Sequence, residues 1–237
     1  MEKEKNKFTD MAAVLGVALI AAAFIIAHGF GSIAKPDRTV TVRGLAEREV
    51  EADLAVWPLT FSVGGNDLPQ LQKTVVTYTE IVTAFLEKKG LSAQDYTVKA
   101  PAITDNSVNP YMDQDRARFT YIAKVVVLVR SAKVAEVKQA QSDSLDLMGN
   151  GIAVAQDYDS SIQFEFTGLN SIKPEMIAEA TGNARVAAEQ FAHDSGSKVG
   201  KIKTAAQGLF SIENAAAGLE EKKNVRVVTT VEYLLKD

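Results

Sequence analysis

The sequence predicts an α+β protein with antiparallel sheets and helices packed on one face, in the order ββα-ββα-ββα-ββ, preceded by one N-terminal transmembrane helix. Two observations support this prediction. Segments in which every second residue is apolar, typical of strands, occur in consecutive pairs, and single segments with helical spacing separate these pairs. A twenty-residue run without Asp, Glu, Lys or Arg precedes them all.

The uncharged run covers residues 11–30, about the length that a helix needs to cross the roughly 30 Å hydrocarbon core of a bilayer. We therefore expect a cytoplasmic tail at 1–10, a transmembrane signal anchor at 11–30, a linker at 31–38 and a folded domain at 39–237. A cleaved signal peptide is the alternative, because three lysines precede the run and small residues follow it. The run exceeds the usual apolar region of about 7–15 residues, which favours an uncleaved anchor.

Composition limits the function classes. The chain of 237 residues is 46% hydrophobic and 24% charged, with a formal net charge of −4, as in ordinary globular proteins. Lys and Arg are scattered among acidic residues, so we expect no nucleic-acid partner. The chain has no cysteine, which fits either an oxidising compartment or the cytosol. Positive charges on the two sides of the uncharged run are nearly balanced and do not fix its orientation.

The first elements are predicted from an alternating pattern that changes to helical spacing. Residues 39–45 and 54–63 alternate as strands, and we expect them to form a hairpin. Pro58 cannot donate a ladder hydrogen bond, which indicates an edge position or a bulge in the second strand. Apolar residues then recur at helical spacing, and this helix is predicted to follow an Asp67 cap and to end at Gly90.

The sequence pattern in the middle of the chain predicts two more strands and a second helix. Residues 96–103 form a short predicted strand, and residues 119–130 form a central strand, because apolar residues occupy both of its faces. The polar connection at 104–118 carries several carboxylates and is longer than a hairpin loop. A second helix is predicted over residues 131–148.

A third helix is predicted from about Pro174 to Asp194, because proline suits the first turn of a helix. Strands are predicted at 152–155 and 162–166 before it and at 201–210 and 224–235 after it. The apolar stripe of this helix is mostly alanine, which permits close approach to a sheet. Its inward residues are predicted to be Ile177, Ala180, Ala184, Ala187, Ala188 and Phe191.

The opening VTVRGLAEREVEADLAVWPLTFSV resembles the first strands of the bacterial SIMPL-domain family, which typically begin with V-x-V-x-G, a short turn and a Pro-Asp-hydrophobic strand. Ala52-Asp53 stands where that family usually has Pro-Asp. Residues 177–208 resemble the family's Ala-rich helix, followed by G-x-x-x-G and a strand. The resemblance covers residues 39–233 and implies an α+β fold, export to the periplasm or cell surface, frequent self-association and a loose link to envelope or oxidative stress. It brings no enzymatic reaction and no catalytic residue.

We therefore expect a non-enzymatic periplasmic protein, without a cofactor, that is held in the inner membrane through residues 11–30 and associates with itself or with envelope proteins. The alternative is a metal-dependent or hydrolytic envelope enzyme. Glu189 and His193 lie four residues apart on one helix face and could supply two metal ligands, but a third is lacking. The acidic connection at 104–118 offers oxygen ligands of the kind that calcium prefers, without the regular frame of a calcium loop: Asp105, Asn106, Asn109, Asp113 and Asp115. No catalytic, cofactor-binding or metal residue is assigned.

Overall fold

The computed structural model describes residues 14–26, 37–108 and 118–237. The strands are β1 (Thr39–Glu51), β2 (Leu54–Gly65), β3 (Tyr96–Val98), β4 (Ala102–Asp105), β5 (Tyr121–Ser131), β6 (Gln163–Glu165), β7 (Lys198–Gln207), β8 (Ser211–Asn214) and β9 (Lys222–Lys236). The helices are α1 (residues 14–26), α2 (Leu68–Lys88), α3 (Val134–Ser142) and α4 (Leu169–Asp194). The predicted α+β class with antiparallel sheets is confirmed.

The chain divides into two compact units. One contains Met1–Gly44, Thr181–Ala206 and Thr229–Asp237, and the other contains Leu45–Ala180 and Gln207–Val228.

The structure describes only part of the membrane span predicted at residues 11–30. Helix α1 covers residues 14–26, and the rest of the predicted span at 11–30 lies outside the described residues. Across the described part of the chain, no helix combines the length and the apolarity that crossing a membrane requires. Over the residues that the structure describes, the predicted transmembrane helix corresponds to α1, which is shorter than a membrane span. The tail at 1–10 and nearly all of the linker at 31–38 also lie outside the described residues.

Five strands form one sheet, in the order β3-β5-β2-β6 with β4 also paired with β5. Strands β2 and β5 pair antiparallel from Ala55↔Ser131 to Gly65↔Tyr121. The central position predicted for β5 is confirmed, because β2 lies on one side and β3 and β4 lie on the other. Strand β2 lies between β5 and β6 and is therefore not an edge strand, although Pro58 lies outside its three residues that pair with β6.

Four strands form the other sheet, in which β9 lies between β1 and β7 and also pairs with β8. The predicted hairpin of β1 with β2 is wrong, because β1 pairs with β9 and β2 pairs with β5. The turn between them is fastened elsewhere: the N–H of Ala52 donates to the carbonyl of Glu221 at 2.8 Å, and the N–H of Asp53 donates to that of Glu165 at 3.0 Å. These bonds separate the two strands, so the chain passes from one sheet to the other.

Helix α2 follows the sequence prediction closely. The Asp67 side chain caps its first turn by accepting the N–H of Gln70 at 2.8 Å, and Gly90 has the positive φ of 89° that ends the helix in a left-handed residue. The buried face of α2 packs on β2 and β5 in a core of large side chains. Its fully buried members include Trp57, Leu59, Phe61, Val82, Leu86, Val125, Val127 and Val129.

Helix α4 begins at Leu169, so the predicted start near Pro174 is wrong and this proline lies inside the helix. The cap comes from far along the chain. The two carboxylate oxygens of Asp53 accept the N–H of Thr167 at 2.7 Å and the N–H of Gly168 at 2.9 Å. Both N–H groups come just before Leu169, so this carboxylate holds the turn that leads into α4.

The buried stripe of α4 repeats every four residues. It consists of Met176, Ala180, Ala184, Ala188 and Ala192. The first four pack in two clusters against residues of β1 and β9, among them Val42 and Val231 in one and Val225 and Val227 in the other. Phe191, predicted to face inward, is 61% exposed, because Ala192 rather than its neighbour continues the stripe.

Three further predictions need correction. The predicted helix at 131–148 is α3 followed by a 3₁₀ segment, Asp143–Asn150. The predicted strand at 96–103 is divided into β3 and β4, and only β6 lies between α3 and α4. Strand β8 was not predicted as a separate element. The order ββα-ββα-ββα-ββ is therefore correct only at its beginning.

Candidate interaction surface

The predicted metal pair on α4 lies on its outer face. The Arg185 Nε–H donates to Glu189 Oε1 at 2.9 Å, so the carboxylate is already engaged in an ion pair. The His193 side chain is 85% exposed, and its Nδ1 lies 3.4 Å from Asp194 Oδ1. Among the described residues, no group of three or more His, Asp or Glu side chains could hold a metal ion. This arrangement is typical of a solvated helix surface.

The ends of the acidic connection at 104–118 are fastened by polar side chains. Asp105 Oδ1 accepts the N–H of Ser107 at 2.9 Å, and the buried side-chain amide of Asn106 donates to the carbonyl of Phe119 at 2.9 Å. Residues 109–117, which include the predicted ligands Asn109, Asp113 and Asp115, lie outside the described residues. At the described ends of the connection, the Asp105 and Asn106 side chains are therefore hydrogen-bonded to neighbouring residues of the chain.

The carboxyl group of Asp95 has a strongly shifted pKa. It accepts hydrogen bonds from the hydroxyls of Ser131 at 2.7 Å and Ser92 at 2.8 Å, from the N–H of Ser92 at 2.8 Å and from Lys133 Nζ at 3.0 Å. These bonds, that of Ser131 above all, hold the pKa of Asp95 far below its usual range. A carboxylate so fully occupied as an acceptor ties the segment after α2 to the end of β5 and is unsuited to proton transfer.

The outer edge of β7 is long and exposed, and it is protected by charge. Residues 201–207 are all exposed, and the strand carries Lys198, Lys201 and Lys203. Lys203 Nζ lies 3.6 Å from Asp37 Oδ2 and 3.7 Å from Glu232 Oε1. Lysines on an exposed edge discourage another strand from pairing with it.

The edge formed by β4 has no such protection. Strand β4 pairs with β5 on one side only, in the register Ile103↔Ala123, and no other described strand pairs with it. Its first three residues are exposed and uncharged, with Ile103 58% exposed, and Asp105 is its single charged residue. Val108, just beyond the strand, is also exposed. Over the described residues, this edge therefore offers backbone groups with which no strand pairs, beside apolar side chains.

A family model matches residues 40–233, and its description is SIMPL, a protein of unknown function (DUF541). The chain belongs to the SIMPL family. The resemblance identified from the opening strands and the Ala-rich helix is thereby confirmed over nearly the whole folded part. No curated protein matches the SIMPL chain.

The motif by which this SIMPL chain resembles its family has a structural role. Asp53, which follows Ala52 where the family usually has Pro-Asp, accepts the N–H groups of the two residues just before α4 through its two carboxylate oxygens. A Cβ on Gly168 would lie 3.2 Å from Asp53 Oδ2 and 3.0 Å from the Phe166 ring, so glycine leaves room for this contact. The motif therefore determines how the helix starts and supplies no reacting group.

Sequence reasoning missed the exposed edge because it treated residues 96–103 as one strand. Pro101, which lacks an N–H for the ladder, separates β3 from β4 and was the available signal. The absence of charge from residues 102–104 was a second signal. Neither shows that the outer side of β4 is open, because that depends on which strands pair with β5.

Proposed function

We propose that this SIMPL protein is a non-enzymatic protein of the cell envelope, tethered to the inner membrane through residues 11–30, with residues 39–237 in the periplasm. Two features support the tether. The run at 11–30 is uncharged, and the apolar side chains of α1 are exposed, from 58% at Ile26 to 72% at Ile20. An apolar, exposed helix requires an apolar environment, and lipid provides one.

The protein associates with a second copy of itself through β4. The observation that carries this proposal is the uncharged edge with Ile103 exposed. Two antiparallel β4 strands in a two-fold dimer would pair their open backbone groups and bring their apolar side chains together. Like-charge repulsion would not oppose the pairing, in contrast to the lysine-rich β7. Other envelope proteins are the alternative partners, and a role in envelope or oxidative-stress tolerance follows the family resemblance.

Placement is tested with reporters fused to the C-terminus of the full chain. Alkaline phosphatase should be active and green fluorescent protein dark, because the first folds only outside the cytoplasm. Fluorescence without phosphatase activity would refute the periplasmic placement. Mass spectrometry of the purified protein tests the tether separately, because a mature N-terminus near Gly31 or Lys35 would mean that the anchor is cleaved.

Association is tested by single-cysteine crosslinking in membranes, because the native chain contains no cysteine. Thr104→Cys on β4 should give a disulfide-linked dimer under oxidising conditions. Thr204→Cys, at an exposed position on the lysine-rich β7, is the matched control and should remain monomeric. Adding Ile103→Lys should remove the Thr104→Cys dimer, whereas Ile202→Lys on β7 should not. Monomer in every variant, or equal crosslinking from both strands, would contradict self-association through β4.

A further inference from the structure

The outer edge of β7 combines open backbone groups with positive charge. Strand β7 is the last strand in the order β1-β9-β7, and no other described strand pairs with its outer side. Residues 201–207 are all exposed, so the described chain leaves this part of the strand accessible. A strand at the end of a sheet presents a row of N–H and C=O groups that a further strand can pair with. The β7 edge therefore has room for one more strand.

The charge on this edge has one sign. Strand β7 contains Lys198, Lys201 and Lys203 and no acidic residue. Lys203 already lies near two carboxylates, because its Nζ is 3.6 Å from Asp37 Oδ2 and 3.7 Å from Glu232 Oε1. Within the described part of the chain, no ion pair involves Lys198 or Lys201. These two ammonium groups are therefore available to a partner.

A third available ammonium group borders the start of β7. A Cβ on Gly200 would lie 2.8 Å from the carbonyl oxygen of Leu234 and 3.3 Å from Cε of Lys236, so the end of β9 passes close to this glycine. The described residues form no ion pair with Lys236, and the side chain of the next residue, Asp237, is paired with Arg38. Neighbouring carboxylate side chains therefore leave most of the positive charge of the edge uncompensated.

This combination selects the chemistry of the strand that can be added. A second copy of β7 would place lysines opposite lysines, and like charges on neighbouring strands are unfavourable. A strand that carries Glu or Asp opposite these lysines forms favourable cross-strand pairs instead. Nucleic acid fits the edge less well, because single strands are bound through aromatic side chains as well as cations, and β7 contains no aromatic residue.

We propose that the β7 edge binds an extended acidic segment of a partner protein, which is added to the four-stranded sheet as a further strand. Backbone hydrogen bonds along the open edge supply affinity, and the ammonium groups of Lys198, Lys201 and Lys236 select acidic side chains. The same lysines exclude a second copy of β7. The proposal depends on neither the membrane tether nor self-association through β4, which is a different edge in the other sheet.

Fluorescence anisotropy with synthetic peptides tests this proposal on the purified full chain in a nonionic detergent. The probe is a labelled octapeptide of alternating Glu and Val. A Lys-Val octapeptide has the opposite charge, and a Glu-Pro octapeptide keeps the charge but lacks the N–H groups of the valines. We expect saturable binding of the Glu-Val peptide only, and weaker binding as salt is added, because salt screens exposed charges. No binding of the Glu-Val peptide, or equal binding of either comparison peptide, would overturn the proposal.

Charge reversal on β7 has a matched control on α2. Lys198→Glu combined with Lys201→Glu should weaken binding of the Glu-Val peptide about tenfold, because two attractive pairs become repulsive. Lys73→Glu combined with Lys88→Glu, at exposed positions of α2, changes the net charge equally and should alter the affinity less than about twofold. Equal effects from the two double variants would show that the peptide responds to the net charge of the protein and not to β7.

Disulfide formation locates the peptide without changing any lysine, so it covers the case in which charge reversal prevents folding. The native chain has no cysteine, and Thr204 is an exposed residue of β7. A Glu-Val peptide with a terminal cysteine should crosslink to Thr204→Cys and not to Thr104→Cys on β4. Equal or preferential crosslinking to β4, or crosslinking to neither strand, would overturn the site. Tighter binding of oligothymidylate than of the Glu-Val peptide would assign the edge to nucleic acid and would overturn the acidic segment as its ligand.

Discussion

The core beneath α2 and the core beneath α4 are built from side chains of different size. Against the five-stranded sheet, α2 buries Leu86 among residues as large as Trp57 and Phe61. Against β1 and β9, α4 buries small residues such as Ala184 and Ala188. Large side chains fill the first core, so removing atoms leaves a cavity. Alanines let the α4 backbone approach the sheet, so adding atoms creates overlap. The first core is therefore sensitive to truncation of its side chains, and the second core to enlargement of its side chains.

Truncation in the large-residue core should have the largest effect. Leu59→Ala removes a fully buried side chain from β2, and we expect a loss of about 2–5 kcal/mol in the free energy of unfolding. Denaturant unfolding measures it as a lower midpoint with an unchanged slope. Val76→Ala, at an exposed position of α2, should change stability by no more than about 0.5 kcal/mol. Equal effects from the two variants would contradict the close packing of this core.

The hydrogen bonds to the Asp95 carboxylate should also contribute to the free energy of unfolding. Asp95→Asn weakens the charge-assisted bonds from Ser131, Ser92 and Lys133, and it should cost about 1.5–3 kcal/mol at pH 7. The pKa of Asp95 is lowered in the folded state, so its contribution is fully present above the unfolded pKa of about 3.9 and is lost as the pH falls below it. The stability difference between native and variant protein should therefore shrink on acidification below about pH 4. Unfolding curves at pH 7 and pH 3 test this sign.

Enlargement should be the damaging change in the alanine core. Ala184→Leu adds atoms where α4 packs against Val42 and Val231, and overpacking of this kind costs about 1–3 kcal/mol. Ala178→Leu, on the exposed face of the same helix, controls for helix propensity and should change stability little. Thermal unfolding of both variants distinguishes packing from propensity. A neutral Ala184→Leu would mean that α4 does not need alanine for close approach.

The two helix caps extend the comparison from side-chain packing to helix starts. Asp53 accepts two backbone N–H groups at the start of α4, whereas Asp67 accepts one at the start of α2. We expect Asp53→Ala to cost about 0.5–2 kcal/mol, and Asp67→Ala to cost less within the same range. Asp53→Asn keeps one acceptor oxygen and should fall between native protein and Asp53→Ala. Amide hydrogen exchange in the first turn of α4 is the direct measurement, and no increase in Asp53→Ala would refute the cap.

The same residues explain how much the sequence could predict. Helix α2 was predicted well because its cap, apolar spacing and terminal glycine all lie within the helix or beside it. The start of α4 was not, because Asp53 lies 114 residues before Thr167 along the chain. The β1–β2 hairpin failed for a similar reason, since alternation shows that a segment is a strand but not which strand pairs with it.

The candidate interaction surface on β4 also has one feature that the sequence shows and one that it does not. The lack of charge on β4 is visible in the sequence, but its open side is not.

The smallest effect should come from the outer face of α4, opposite its alanine stripe. Glu189→Gln breaks the pair with Arg185, and His193→Ala removes a side chain with no buried contact. Exposed i,i+4 pairs contribute little, because water and salt screen them and the side chains lose entropy on pairing. The double variant should therefore retain the native unfolding midpoint and the β4 crosslink. A lost crosslink with an unchanged midpoint would instead give these two residues a functional role and return them to consideration as ligands.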